Sequence, residues 1–222
     1  MHERVTAAIR AAGEAGRTAL IPFITAGYPE PAGFAATLKA VAAVGDVVEV
    51  GIPFSDPMAD GMTIQRSSFE ALRKGVSLRW IFDELEKAGD VGAPLVMMSY
   101  LNPLLAFGYE KLALRARQTG VCAFIVPDLP YEECGDLVDA LDGEGIGLVQ
   151  LVTPATPGAR LAMLCKASRG FVLQKIHQPK FLLKRHLSCW KTYQCQLLQV
   201  RAMTTLRNMT ARHRTAVRST SW

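Results

Sequence analysis

The chain has 222 residues, half of them apolar and a fifth charged, which suits one ordinary globular domain and excludes wholesale disorder. Its net charge of +5 averages two unlike parts: residues 1–172 carry 15 Lys and Arg against 20 Asp and Glu, whereas residues 173–222 carry 10 Lys and Arg and no acid. Five cysteines, an odd number at spacings that match no zinc pattern, read as reduced cytoplasmic thiols rather than a disulfide framework.

Residues 1–17 are charged throughout and lack the apolar stretch of a signal peptide. From there the chain alternates between two kinds of segment. Short apolar runs stand at Thr18–Thr25, Asp46–Val50, Ala93–Ser99, Val121–Val126 and Gly145–Leu151, and Gly170–Val172 opens a sixth. They are apolar at consecutive positions, as parallel strands covered on both faces are. Between them, helical spacing marks Pro31–Val44, Met62–Lys74, Leu78–Lys87, Leu101–Thr119, Tyr131–Leu141 and Gly158–Ala167. The uncharged run Val91–Tyr109 is as long as a membrane span, but Gly92, Pro94, Asn102, Pro103 and Gly108 interrupt it; it reads as a buried strand, a loop and a helix start. Repeated βα units imply right-handed crossovers and a parallel sheet. Five units and a sixth strand fit either an open doubly wound sheet or a (β/α)8 barrel cut short, and the pattern alone does not separate them. The turn after the first strand, TAGYPEP, lacks the glycine fingerprint of a dinucleotide site.

The stretch Val48–Gly61, VEVGIPFSDPMADG, carries the chemistry. Glu49 shares its strand face with Val47. A carboxyl at the C-terminal end of a barrel strand sits at the mouth, where burial raises its pKa and keeps it an acid near neutrality. Asp60 follows after a proline-containing loop, with Asp56 between. Two carboxylates in unlike surroundings can divide acid and base roles, although either Asp can equally serve as a solvated loop residue or a helix cap.

This segment resembles the signature of the tryptophan synthase alpha chain family. Further pieces agree in order: PFITAGYP at 22–29, GMTIQRSSFEALRKG at 61–75, PLVMMSYLNPLLAFG at 94–108, VPDLPYEE at 126–133 and LVQLVTPATP at 148–157. The resemblance covers residues 1 to about 172. It implies a (β/α)8 (TIM) barrel, truncated here after about the sixth strand, and a carbon–carbon lyase of tryptophan biosynthesis. The implied reaction cleaves indole-3-glycerol phosphate to indole and glyceraldehyde 3-phosphate without a metal or organic cofactor in this subunit. It assigns Glu49 as the acid–base group on the indole ring carbon and Asp60 to the indole nitrogen, and it places Phe23, Met98 and Tyr100 in the indole pocket. The loop with Pro53, Asp56 and Pro57 would face a beta chain that carries pyridoxal phosphate, in an alpha2-beta2 assembly, with Asp56 coupling the two.

Past residue 172 the pattern stops. Residues 173–222 hold no Gly, Asp or Glu but three of the four His. They read as a basic tail foreign to the family, through an out-of-frame read-through or a fusion, either disordered or helical over Phe181–Arg207. Leu173 stands where the resemblance places a tyrosine. The family's last two βα units and the Gly-rich turns that hold the substrate phosphate have no counterpart, so weak or absent turnover is expected, with the first and sixth strands left as open edges. Two other functions compete: a fragment that only docks on the beta chain, and a nucleic-acid binder using the basic tail with Trp190, Tyr193 and Trp222, which nothing beyond charge and aromatics supports. A zinc site from His177, His186, Cys189 and Cys195 matches no established spacing.

Overall fold

The computed structural model describes residues 1–175 and the backbone of 197–200. The elements are α1 (Glu3–Glu14), β1 (Phe23–Thr25), α2 (Phe34–Ala42), β2 (Val48–Gly51), α3 (Met62–Arg73), α4 (Leu78–Ala88), β3 (Leu95–Met98), α5 (Leu101–Phe107), α6 (Tyr109–Gln118), β4 (Val121–Ile125), α7 (Gly135–Gly143), β5 (Gly147–Val152), α8 (Gly158–Ala167), β6 (Val172–Lys175) and β7 (Leu197–Val200). The zinc quartet and the aromatics of the basic tail lie outside the described residues.

Each strand pairs in parallel with the next one in the sequence, in the order β1-β2-β3-β4-β5-β6-β7. That order decides between the two architectures. A doubly wound sheet reverses its strand order to place helices on both faces. An order that never reverses, joined by right-handed crossovers, puts the helices on one face and curls the sheet into an arc of a (β/α) barrel.

The alternation of side chains then creates two unlike faces. Ile24, Val48, Val50, Leu95, Met97, Phe124 and Leu148 point outward into one large cluster with Phe34, Leu38, Ile81, Phe82, Leu85, Leu112, Leu137 and Leu141 from the helices. Val47, Val96, Ala123, Ile125 and Val149 point inward, with Ile21, Met98, Leu151 and Leu173 partly buried against them.

Three features depart from the sequence reading. First, residues 3–14 form α1, which closes the lower end of the inner face. Val5 is fully buried there, the Met1 ammonium donates to Gly145 O at 2.7 Å and Thr6 Oγ1 donates to Gly170 O at 3.0 Å. Second, the expected single helix over 101–119 is two, α5 and α6, because Gly108 has φ 88°, a conformation that ends one helix and that L side chains rarely adopt. Third, β7 lies beside β6, with Leu173 opposite Leu198 and Lys175 opposite Val200, so the sixth strand is not an open edge. β1 has no strand on its other side among the described residues. The uncharged run at 91–109 divides into β3 and α5 as expected, and no helix among the described residues is long and apolar enough to cross a membrane.

Candidate active site

The mouth of the arc is built where β1, β2 and β3 end. Phe23 lies opposite Glu49, Glu49 opposite Val96, and Gly51 opposite Met98. Side chains two residues apart share a face, so Phe23, Glu49, Met98 and Tyr100 all belong to the inner side of adjacent strands. Gly51 is required by this arrangement. A Cβ there would fall 2.4 Å from Cζ of Phe23, so only a residue without one lets the Phe23 ring lie across β2 next to Glu49.

Glu49 is 8 % exposed, and its carboxyl is pushed up to about 7. Burial is the main cause and the charge of Asp60 adds to it; neither a cation nor a hydrogen-bond donor offsets them. A carboxyl in this state is about half protonated at neutral pH, so it can both give and take a proton there.

Asp60 reaches the site from the β2–α3 loop. The loop is tied to its surroundings at several points: Asp60 N donates to Pro57 O at 3.1 Å, and Gln65 Nε2 donates to Asp60 O at 2.9 Å. Ala59 N donates to Tyr100 Oη at 2.8 Å, and the Tyr100 hydroxyl is hydrogen-bonded to the Asp60 carboxylate. Burial first, then the charge and hydrogen bond of Asp60, push the Tyr100 phenol up to about 12 against the lowering effect of the Ala59 N–H, so it stays a donor. Its ring stacks on Phe54, with centroids 5.2 Å apart at 28°.

The remaining candidates divide. Phe23 and Met98 are half-buried at the mouth and Tyr100 is buried. Pro53 is buried at the foot of the loop, Pro57 is half-buried and Asp56 is exposed, so the loop meets solvent through Ser55, Asp56 and Met58. Met58 is 90 % and Met62 81 % exposed, an apolar pair in the open, one in the loop and one at the start of α3, that the sequence reading passed over. It also passed over Gln65, whose amide spans to the loop, and Asp128, whose carboxylate accepts from Leu101 N at 3.0 and 3.2 Å and so caps α5. Polar residues inside amphipathic helices and loops carry no sequence mark of such partners. Among the described residues no three His, Cys, Asp or Glu side chains gather as a metal site, and Cys122, Cys134 and Cys165 are buried and form no disulfide with one another.

A parallel (β/α)-barrel arc with a buried acid at the C-terminal ends of its strands puts the chain in the class of (β/α)-barrel proteins. Residues 9–176 match the family model described as Tryptophan synthase alpha chain. The tryptophan synthase alpha chain of Desulfovibrio desulfuricans is 52 % identical over 166 residues, 74 % of this chain and 65 % of the relative; that of Solidesulfovibrio magneticus is 46 % identical over 170 residues, 76 % and 66 %. Among solved structures, a ligand-free tryptophan synthase from M. tuberculosis superposes with TM-score 0.73 at 35 % identity, covering 77 % of this chain and 70 % of that one. The alpha chain from Legionella pneumophila gives 0.75 at 26 %, covering 88 % and 75 %. The chain belongs to the tryptophan synthase alpha chain family, a family of lyases in tryptophan biosynthesis, and it spans about 65 % of the length of the curated relatives it matches.

Proposed function

We propose that the described half-barrel carries the acid–base site of an indole-3-glycerol-phosphate lyase. The observation that supports this best is the buried Glu49 on the inner face, its carboxyl pushed up to about 7 by burial with Asp60 nearby. Glu49 gives its proton to the indole ring carbon that bears the glycerol side chain. The ring nitrogen takes up positive charge, and Asp60 stabilises it. The bond between ring and side chain then breaks. Its electron pair returns to the ring as indole, and the side-chain hydroxyl becomes the aldehyde of glyceraldehyde 3-phosphate. The proton leaving that hydroxyl goes to the Glu49 carboxylate and restores the acid. This chemistry needs no metal or organic cofactor from this chain. Phe23 and Met98 bound the indole ring.

The exposed segment of Ser55, Asp56 and Met58 faces a pyridoxal-phosphate-bearing beta chain in this reading, with cytoplasmic residence. Residues 173–222 read, on composition, as foreign to the family, although the family match runs into their first residues, to 176.

The test is indole release from indole-3-glycerol phosphate, with and without a beta chain, against Glu49→Gln. Slow release that the substitution lowers by about 10²- to 10⁴-fold is expected. The rate should be well below that of a full-length relative, because Gly-rich phosphate-holding turns have no counterpart in residues 173–222. A second reading, a docking module without turnover, draws on the exposed Met58 and Met62. Stimulation of a beta chain by a soluble, folded chain that releases no indole would favour it.

A further inference from the structure

We propose that the outer side of β5 holds a binding site for a small uncharged ring with a lactam-type edge, one N–H donor beside one carbonyl acceptor, recognised by the side-chain amide of Gln150. The site is separate from the Glu49 chemistry and does not depend on it. Outward residues of the other strands, such as Val48, Leu95 and Phe124, are apolar and enter the large cluster under the helices. On β5 the outward series is Leu148, Gln150 and Val152. Leu148 belongs to the large cluster and Val152 to a separate small one with Leu161, Leu164 and Cys165. Gln150 stands between them and is 7 % exposed. Its backbone N donates to Ser168 Oγ at 2.9 Å, whereas its side-chain amide has no hydrogen-bond partner among the described residues.

A cavity of about 330 Å³ lies against this residue. The strand register accounts for it. β4 and β5 stay paired as far as Ile125 and Val149; the chain then leaves the sheet at Val126, while β5 runs on beside β6 with Gln150 opposite Val172. The gap is walled by Leu129, Tyr131, Leu148, Val152 and Leu164. Leu148, Val152 and Leu164 are members of the outer clusters, so the cavity lies across the sheet from Glu49. Its volume is at the small end of the range of about 300–1,000 Å³ for small-molecule sites, enough for one or two fused rings.

The charges at the rim are already committed. Arg160 donates to Glu132 at 2.6 and 3.0 Å, and the Asp128 carboxylate accepts from Leu101 N at 3.0 and 3.2 Å. Thr156 Oγ1 accepts from Thr153 N at 2.9 Å. An ion therefore finds no unpaired counter-charge. What the apolar walls surround is one primary amide, which presents a donor and an acceptor side by side. A buried amide without a partner is costly, and the molecule that relieves it carries the same pair reversed. The cis-amide edge of a lactam or a nucleobase has that pattern on a ring that suits the walls.

The test uses the full chain with 2-pyridone as the probe and N-methyl-2-pyridone, which lacks the donor, as its control. The Gln150 side-chain amide resonances, assigned by their loss in Gln150→Leu, report binding. 2-Pyridone should shift them at millimolar concentration, as befits so small a ligand, and the N-methyl compound should need about tenfold more. Gln150→Leu keeps the bulk and removes the amide, and it should lose the probe. If that variant does not fold, Leu164→Phe, which narrows the cavity from α8 and leaves the amide in place, should weaken the probe by about tenfold or more.

Gln150 resonances that stay put at tens of millimolar 2-pyridone leave water as the occupant and overturn the proposal. Equal binding of the two compounds overturns it too, since the edge is then not read. So does binding that persists in Gln150→Leu, which puts the probe elsewhere. None of these outcomes bears on the Glu49 reading, which indole release decides.

Discussion

The two faces of the sheet are made from the same strands and alternate residue by residue, yet they are finished differently. Outward residues meet the amphipathic faces of α2 to α7 and disappear into one cluster, with Phe82, Phe124, Leu38 and Leu112 at 0 % exposure. Inward residues are smaller, chiefly Val and Ala with Ile125, and they are sealed mainly at the lower end, by α1. At the upper end Phe23, Met98, Leu151 and Leu173 stay only partly buried around Glu49. The outer face is where this fold holds its stability, and the upper inner face is where it carries a buried acid, Glu49.

Truncating the outer face should produce the largest effect. Phe124→Ala leaves a cavity between β4 and the helices and should cost about 3–5 kcal/mol, read as a shift in the denaturant midpoint at constant slope. An effect below about 1 kcal/mol would mean that the helical layer does not carry the fold.

Glu49→Gln is expected to do the opposite at alkaline pH. The folded pKa of about 7 lies above the ordinary glutamate value of 4.5, so the folded state holds the proton more tightly. The contribution of Glu49 is fully favourable below about pH 4.5 and is lost as pH rises through about 7. At pH 8 the charged carboxyl is a liability on the order of 3 kcal/mol by the usual conversion of about 1.4 kcal/mol per pKa unit, and Gln removes it. Unfolding curves of both proteins at pH 5 and 8 should show the variant gaining on the wild type only at the higher pH. Indole release should decline over the same interval, since the acid form does the work. A parallel pH response in the two proteins would place the titrating group elsewhere.

Val5→Ala tests the lower plug. Losing two buried methyl groups should cost about 2 kcal/mol while the Glu49 titration stays in place, because α1 and the mouth lie at opposite ends of the inner face. A moved titration would show that the two ends are not independent. The smallest effect is expected at a helix cap: Ser77 Oγ accepts from Trp80 N at 3.3 Å at the start of α4, and Ser77→Ala should cost about 1 kcal/mol without touching the site.

Much of the scaffold is legible in the residues. Consecutive apolar runs locate β1 to β6, since a strand buried on both faces needs an apolar residue at every position. Met62–Arg73 and Leu78–Ala88 follow their spacing closely, and the motif from Val48 to Gly61 places Glu49 and Asp60 together. The rest depends on contacts distant in sequence. Residues 3–14 look like a polar start until Gly145 and Gly170 offer carbonyls for Met1 and Thr6. Gly108 sits inside a run with helical spacing, and its φ of 88° breaks the run in two. Gln65 and Tyr100 carry no local sign that they grip the same loop, because one comes from α3 and the other from the end of β3.

The sequence by itself determined the repeating βα units and the family, because periodicity and side-chain type are local properties. The spacing of the elements left barrel and open sheet undecided; the family resemblance implied the barrel, and the unbroken strand order shows the barrel arc. Tertiary structure alone decided that Glu49 is dry enough to keep its proton to about pH 7, since dehydration is imposed by neighbours from other strands and not by the residue itself.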